Sequence, residues 1–304
     1  MKPKPLCLVC TFRTAHDIAE KSTDDENLQM KIILETATWL SGMSAKMENV
    51  TPAYLHTQVC RIARRITGNP DPFLRIKRSS NEQALRTLPL LEKMIRKTQD
   101  AKENFRLAVR IAICGNAVDF EVEDYAFSLD RFDAQLLSCV ERDPAIDHTS
   151  ILMQQLERAE KVLYLLDNAG EIVFDKILID LIKRTYNCEV WAVVKEQPVL
   201  NDALIEDAEQ VRLTSVVPVI TTGNDHIGVD LDRCSETFLN HLRTSDLIIA
   251  KGQGCYETLT ELRSSLRVPI CYLLRAKCPI VADDLGVPLQ SSVVKFVDPH
   301  GERW

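Results

Sequence analysis

The chain has 304 residues, 45% of them hydrophobic and 27% charged, which suits about two globular domains with full cores. With 37 Lys and Arg against 44 Asp and Glu it carries a net charge of −7, and an acidic surface of this kind argues against a nucleic-acid partner. No stretch approaches the about 18 apolar residues that span a bilayer and Met1 to Pro5 opens no signal peptide, so the expectation is a cytoplasmic protein without a membrane partner, its 10 cysteines reduced and buried rather than paired.

In chain order, the first feature is Cys7-Leu8-Val9-Cys10, a lone C-x-x-C. Zinc would need two more ligands, and His16 is the one candidate for a third, so the pair reads as reduced and structural. Leu28 to Leu40 has Ile32, Ile33, Leu34, Ala37 and Leu40 at helical spacing, and Tyr54 to Ile66 and Asn81 to Thr98 read the same way. The densest basic stretch, Arg61 to Arg78, is broken by Gly68, Asn69, Pro70, Asp71 and Pro72 and reads as a solvated helix and loop. Asn104 to Phe120 is more apolar and predicts a buried helix. A polar, Pro-containing stretch at Asp143 to Ser150 divides the chain into a helical domain, 1–148, and a second domain, 149–304.

Beyond that divide the pattern changes. Apolar runs of five to seven residues stand at Lys161 to Leu166, Glu189 to Val194, Val216 to Ile220, Asp246 to Ala250, Val268 to Leu274 and Ser291 to Val297. Such runs fit strands covered on both faces. Helical segments alternate with them at Ile172 to Arg184, Asn201 to Val211, Ser235 to Arg243 and Tyr256 to Leu266. The predicted fold is α/β, a three-layer α/β/α sandwich with a mostly parallel sheet, preceded by an all-α domain. In such sheets ligands bind beyond the carboxyl ends of the strands, so the residues following each run are the ones to weigh.

After the first run comes Asp167-Asn168-Ala169-Gly170-Glu171, with Asp175 one turn further on. A tight turn with a helix cap explains this segment as well as a site does, but a carboxylate beside an amide carbonyl is also an oxygen-donor pair for a hard divalent cation. After the second run, Asn201-Asp202 reads singly as a helix cap. Adjacent strand ends lie about 5 Å apart, however, so Asp202 is placed to complete a metal set with Asp167 and Asn168. Thr222 and Gly223 follow the third run; alone they are a polar loop, and they count as phosphate contacts only with the rest of the site. After the fourth run, Lys251-Gly252-Gln253-Gly254-Cys255 opens a helix. Its amides and dipole form an anion site, and the lysine can neutralise phosphate oxygens. A Gly-rich turn with an exposed lysine is the plainer alternative. No nucleophile elbow of the form G-x-S-x-G occurs.

Together these segments resemble the damage-control phosphatase family, domain of unknown function 89, in its short, mainly prokaryotic branch. The resemblance rests on the ordered blocks Asp167 to Asp175, Asn201-Asp202, Lys251 to Leu259 and Leu274-Arg275-Ala276-Lys277-Cys278. In the first half it rests on Cys7-x-x-Cys10, Asp71-Pro72-Phe73 with Lys77, and Gly115 to Phe120. It implies a helical domain packed on an α/β/α domain, with one divalent metal (Mg, Mn, Co or Ni) held by Asp167, Asn168 and Asp202. It also implies Lys251, with Gly252 and Gly254, on the substrate phosphate, and Asn116 and Asp119 reaching the site from the helical half. Similar proteins usually read Lys-Gly-x-Gly-Asn where this chain ends the block with Cys255, a weaker donor.

The expected activity is therefore metal-assisted hydrolysis of small phosphorylated metabolites, such as sugar phosphates or cofactor-precursor phosphates. Glu171 or Asp175 would orient the water. Two rivals are an S-adenosylmethionine-dependent carboxyl methyltransferase, disfavoured because no G-x-G-x-x-G follows the first run, and a non-catalytic phosphometabolite binder, suggested by Cys255.

Overall fold

The computed structural model describes residues 1–115, 129–262 and 265–299. It begins with α1 (Pro5–Ser22), α2 (Glu26–Gly42) and α3 (Pro52–Thr67), then α4 (Leu74–Lys97), α5 (Ala101–Cys114) and α6 (Leu129–Val140). Local chemistry sets several of these ends. Asp25 accepts the Asn27 N–H at 2.8 Å to start α2, and Thr51 accepts the Tyr54 N–H at 3.2 Å, with Pro52 in the first turn of α3. Gly68, at φ 71°, ends α3 in the left-handed region.

The second half runs β1 (Ile146–Asp147), α7 (Thr149–Leu156), β2 (Lys161–Leu165), α8 (Glu171–Thr185), β3 (Glu189–Val194), α9 (Ile205–Gln210) and β4 (Val219–Thr221). It continues with α10 (Glu236–Thr244), β5 (Leu247–Lys251), α11 (Gly252–Leu262), β6 (Ile270–Arg275), α12 (Pro279–Leu285) and β7 (Ser292–Val297). Among the described residues the strands form one sheet in the order β1-β7-β6-β5-β2-β3-β4. The pairs are parallel throughout except β6 with β7. The α/β/α class expected from the sequence is the observed one.

Alternation along the strands builds the two faces. Val162, Tyr164, Val190, Ala192, Leu247 and Ile249 point into a core closed by α4, α5 and α8. Leu163, Leu165, Val193, Ile248, Ala250 and Tyr272 point the other way, into a core closed by α10, α11 and α12. A third core joins α1, α2 and α3 through Ala15, Ile18, Ile32, Val59 and Ala63. The later helices of the first half thus serve as a covering layer of the sheet, and β1, inside the stretch read as a divider, pairs with β7.

Several readings need correction. The basic stretch is not simply solvated: Arg61 and Arg64 grip Asp225, and Lys77, 1% exposed, lies 2.6 Å from Asp71. The helix read over Asn201 to Val211 begins only at Ile205, because residues 201–203 are engaged by the β2 exit loop. The cysteines are not all unpaired. Cys114 and Cys139 form a disulfide with their Cα atoms 5.8 Å apart, a pairing that depends on the approach of α5 and α6 and has no local signature.

Candidate functional site

The strand order turns at β2. The chain leaves β2 for β3 and β4 on one side and returns through β5 and β6 on the other. The crevice between the ends of β2 and β5 is the topological switch point, where open α/β sheets bind ligands.

Two loops meet there. The Ala203 N–H donates to the Asp167 carbonyl at 2.8 Å and the Ala169 N–H to the Asn201 carbonyl at 2.9 Å. This makes an isolated antiparallel bridge between Asn168 and Asp202. Backbone pairing therefore brings the three sequence-predicted oxygen donors together, and it takes Asp202 out of the capping role, since Asp207 accepts the Leu204 N–H at the start of α9. Gly170, at φ 82°, donates its N–H to Asn81 Oδ1 at 2.7 Å, which ties the turn to α4.

β5 delivers the other half of the site. Gly252 has φ 75°, and a Cβ there would stand 1.9 Å from Asp167 Oδ2. Only glycine gives the Asp167 carboxylate this room. The Lys251 ammonium, 1% exposed, lies 2.8 Å from Asp175 Oδ1 and 3.4 Å from Glu171 Oε2, and it donates to the Ala112 carbonyl at 2.8 Å. Tyr164 Oη donates to Asp175 Oδ1 at 2.6 Å. Asn168 Nδ2 donates to Glu171 Oε1 at 2.6 Å and to Asp167 Oδ2 at 3.1 Å. Lys251 is thus committed to acceptors on its own chain, and a phosphate oxygen reaching it would have to replace one of them.

The electrostatics follow from enclosure. Burial first, then the charges of Glu171 and Asp202, push the Asp167 carboxyl well above the usual carboxylate range, against Lys251 and Lys277. Burial raises Asp202 to about 6, opposed by Lys195, and Asp175 to about 6, opposed by Lys251. Burial alone would lower Lys251; Asp175 and Glu171 outweigh it and hold the ammonium at about 12. Cys255 is packed in the core between the sheet and α11, and burial pushes its thiol up to about 12, so it is a neutral packing group.

The other predicted residues make different contacts. Thr222 and Gly223 follow the edge strand β4, where Thr222 Oγ1 donates to the Asn224 carbonyl at 3.3 Å. A Cβ on Gly223 would lie 2.6 Å from Ser235 Cβ. Gly254 packs against Ile227 and Gly228. Asn116 and Asp119 fall outside the described residues.

Sequence reasoning gave no role to Lys195, which is buried with Nζ 3.8 Å from Asp202 Oδ2 and donates to the Gly228 carbonyl at 2.6 Å. Asn81 and Tyr164 were missed as well. The signal for Lys195 was its place directly after a strand; Asn81 carries none.

The donor set of Asp167, Asn168 and Asp202 is all oxygen, which suits a hard divalent cation. Among the described residues no group of three His, Cys, Asp or Glu side chains is arranged to hold a metal ion; the candidate set consists of two carboxylates and the Asn168 amide. No helix among the described residues is long and apolar enough to cross a membrane.

The family model described as the damage-control phosphatase ARMT1-like domain matches residues 4–293. The chain belongs to this family. A damage-control phosphatase of Pyrococcus horikoshii is 35% identical over 288 residues, 95% of this chain and 96% of that protein. One of Archaeoglobus fulgidus is 35% identical over 301 residues, 98% of this chain and 100% of that protein. An uncharacterised protein of Methanocaldococcus jannaschii is 38% identical over 296 residues, 97% and 95% of the two chains. The 2.04 Å crystal structure of a DUF89 family protein from Pyrococcus horikoshii superposes with a TM-score of 0.87 at 35% identity, over 97% of this chain and 98% of that one. Membership in the damage-control phosphatase family thus spans almost the whole chain, helical half included.

Proposed function

We propose that this chain is a phosphatase of small phosphorylated metabolites that works with one divalent cation, Mg, Mn, Co or Ni, held by Asp167, Asn168 and Asp202. The observation that carries the reading is the bridge that sets Asp202 against Asn168 at the switch point, with the Asp167 carboxylate lodged on Gly252. Family membership supports the reaction class.

When bound, the cation supplies Lewis-acid stabilisation of charge on a phosphoryl oxygen. The protein does the rest by positioning. The amides opening α11 at Gly252 to Gly254 offer donors to phosphate oxygens. Glu171 touches Asn168 and Lys251 and is assigned to orient the attacking water. Asp175, fully buried between Tyr164 and Lys251, is a positioning residue that fixes the ammonium.

The test is phosphate release from a panel of phosphorylated metabolites, with protein stripped by EDTA and then given each of the four metals. Release should require metal and disappear in Asp167→Asn and Asp202→Asn while the circular dichroism spectrum is kept. Full turnover in either variant, or in metal-free protein, would overturn the assignment.

A further inference from the structure

A cavity of about 520 Å³ lies between α1, α3, the opening of α11 and the start of α12. A volume of this size suits a small organic group. Three walls continue from the site. Gln253 and Gly254 follow Gly252 directly, Leu200 stands two residues before Asp202, and Lys277 is one of the cations acting on the Asp167 carboxyl. The cavity is thus joined to the candidate site through the first turn of α11 and through Lys277.

Its remaining walls are poor in hydrogen-bonding groups. Leu6, Pro52, Ala53, Ile227, Ile280 and Val281 line it. Cys7, Cys10 and Cys278 add a soft thiol surface; burial raises Cys7 and Cys10, so both thiols are neutral near pH 7. Arg13 and Lys277, both exposed, add two cations, and the other polar groups are largely engaged with their own chain. Thr14 Oγ1 and His56 Nδ1 are 2.7 Å apart, and Gln253 Oε1 accepts the Cys278 N–H at 2.9 Å. Glu257, the acid on the wall, is raised to about 7 by burial and is only partly ionised near neutral pH. A sugar would leave hydroxyls unpaired against this surface, which is costly. An alkyl body would gain by leaving water.

We propose that this cavity receives the organic part of the substrate and selects phosphate monoesters of apolar-bodied alcohols over those of sugars. The proposal rests on the phosphatase reading above and narrows its substrate class.

Hexyl phosphate, ethyl phosphate and fructose 6-phosphate share a primary alkoxide leaving group, so differences among them report mainly on binding. Phosphate release with the activating metal should give hexyl phosphate a kcat/KM at least tenfold above either of the others. Leu6→Asp, at the rim, should lower the hexyl-to-ethyl ratio at least fivefold. Equal kcat/KM for hexyl and ethyl phosphate, a preference for fructose 6-phosphate, or an unchanged ratio in Leu6→Asp would overturn the selection. Release from none of the esters with any of the four metals would instead overturn the phosphatase reading. Labelling then still tests the cavity: hexyl phosphate, and not ethyl phosphate, should slow N-ethylmaleimide modification of Cys10, the exposed thiol on the wall. Equal labelling rates would refute occupancy.

Discussion

Replacing Gly252 by alanine tests the site more sharply than removing a ligand, because it adds one methyl group and takes no charge away. Two effects are expected. A non-glycine residue at φ 75° costs about 1–2 kcal/mol for the left-handed conformation. The new Cβ also falls 1.9 Å from Asp167 Oδ2 and 2.2 Å from Cγ, far inside an ordinary contact, so the carboxylate must retreat by roughly 1 Å or more. A displacement of about 1 Å costs about 100-fold in rate. Gly286 and Gly68 separate the two effects, since they have φ 69° and 71° and nothing within 4 Å of the added atom. Gly286→Ala and Gly68→Ala should each lose about 1–2 kcal/mol in urea denaturation and keep their activity. Gly252→Ala should lose about 100-fold in kcat/KM for phosphate release under the activating metal. If Gly252→Ala stays within about threefold of wild type, or loses no more than Gly286→Ala, the placement of Asp167 against β5 is not what activity depends on, and the reasoning fails.

Lys251→Met strands Glu171 and Asp175 without their ammonium and should cost about 3–5 kcal/mol in urea denaturation; adding Asp175→Asn should recover part of that, and no recovery would refute the pairing. The Cys114–Cys139 disulfide spans 25 residues, so reduction should cost about 3.5 kcal/mol by loop entropy; a midpoint indifferent to dithiothreitol would refute this. Burial holds His56 at about 4, against about 6.5 in an unfolded chain. Between those values the folded state binds fewer protons, so its contribution is intact above pH 6.5 and is lost as pH falls to 4, by up to about 3 kcal/mol. His56→Gln should flatten that limb of the stability curve, and parallel curves for the two proteins would count against it.

What the sequence revealed and concealed has physical causes. The strands were legible because β2, β5 and β6 are buried on both faces and read as unbroken apolar runs. β1 was not, because two residues become a strand only by pairing with β7. Helix α1 was hidden by the residues it buries. Cys7, Thr11, Ala15, Ile18, Ala19 and Ser22 face inward, with the Thr11 hydroxyl donating to the Cys7 carbonyl at 2.8 Å. Leu6, Val9 and Phe12 face solvent. With Ile18 the one large apolar residue inside and three such residues outside, the pattern a periodicity reading depends on is blurred.

The candidate site was legible where chemistry coincides with topology. Asp167, Asn168, Asp202 and Lys251 stand at strand ends or just beyond them, and the rule for open α/β sheets points there. Asn81 was illegible because its place at Gly170 comes from α4 packing on α8. Lys77 entered only through the resemblance. Its burial on Asp71 is a tertiary fact, and a basic run looks the same from sequence whether it meets water or a carboxylate.

The charge balance of the crevice links these particulars. Asp167, Glu171, Asp175 and Asp202 gather around two buried ammoniums, Lys251 and Lys195, while the other nearby buried ammonium, Lys77, is taken by Asp71. Among the described residues negative charge is in excess, in a place with little water to screen it. An anionic phosphate ester approaching Gly252 would meet that excess and be repelled. Under the proposed reading a divalent cation on Asp167, Asn168 and Asp202 favours the ionised form of both carboxylates and offsets their charge, which makes the approach favourable. On that reading the cation binds before the ester, and the apparent affinity for any phosphate ester should rise with metal concentration until the carboxylates are saturated.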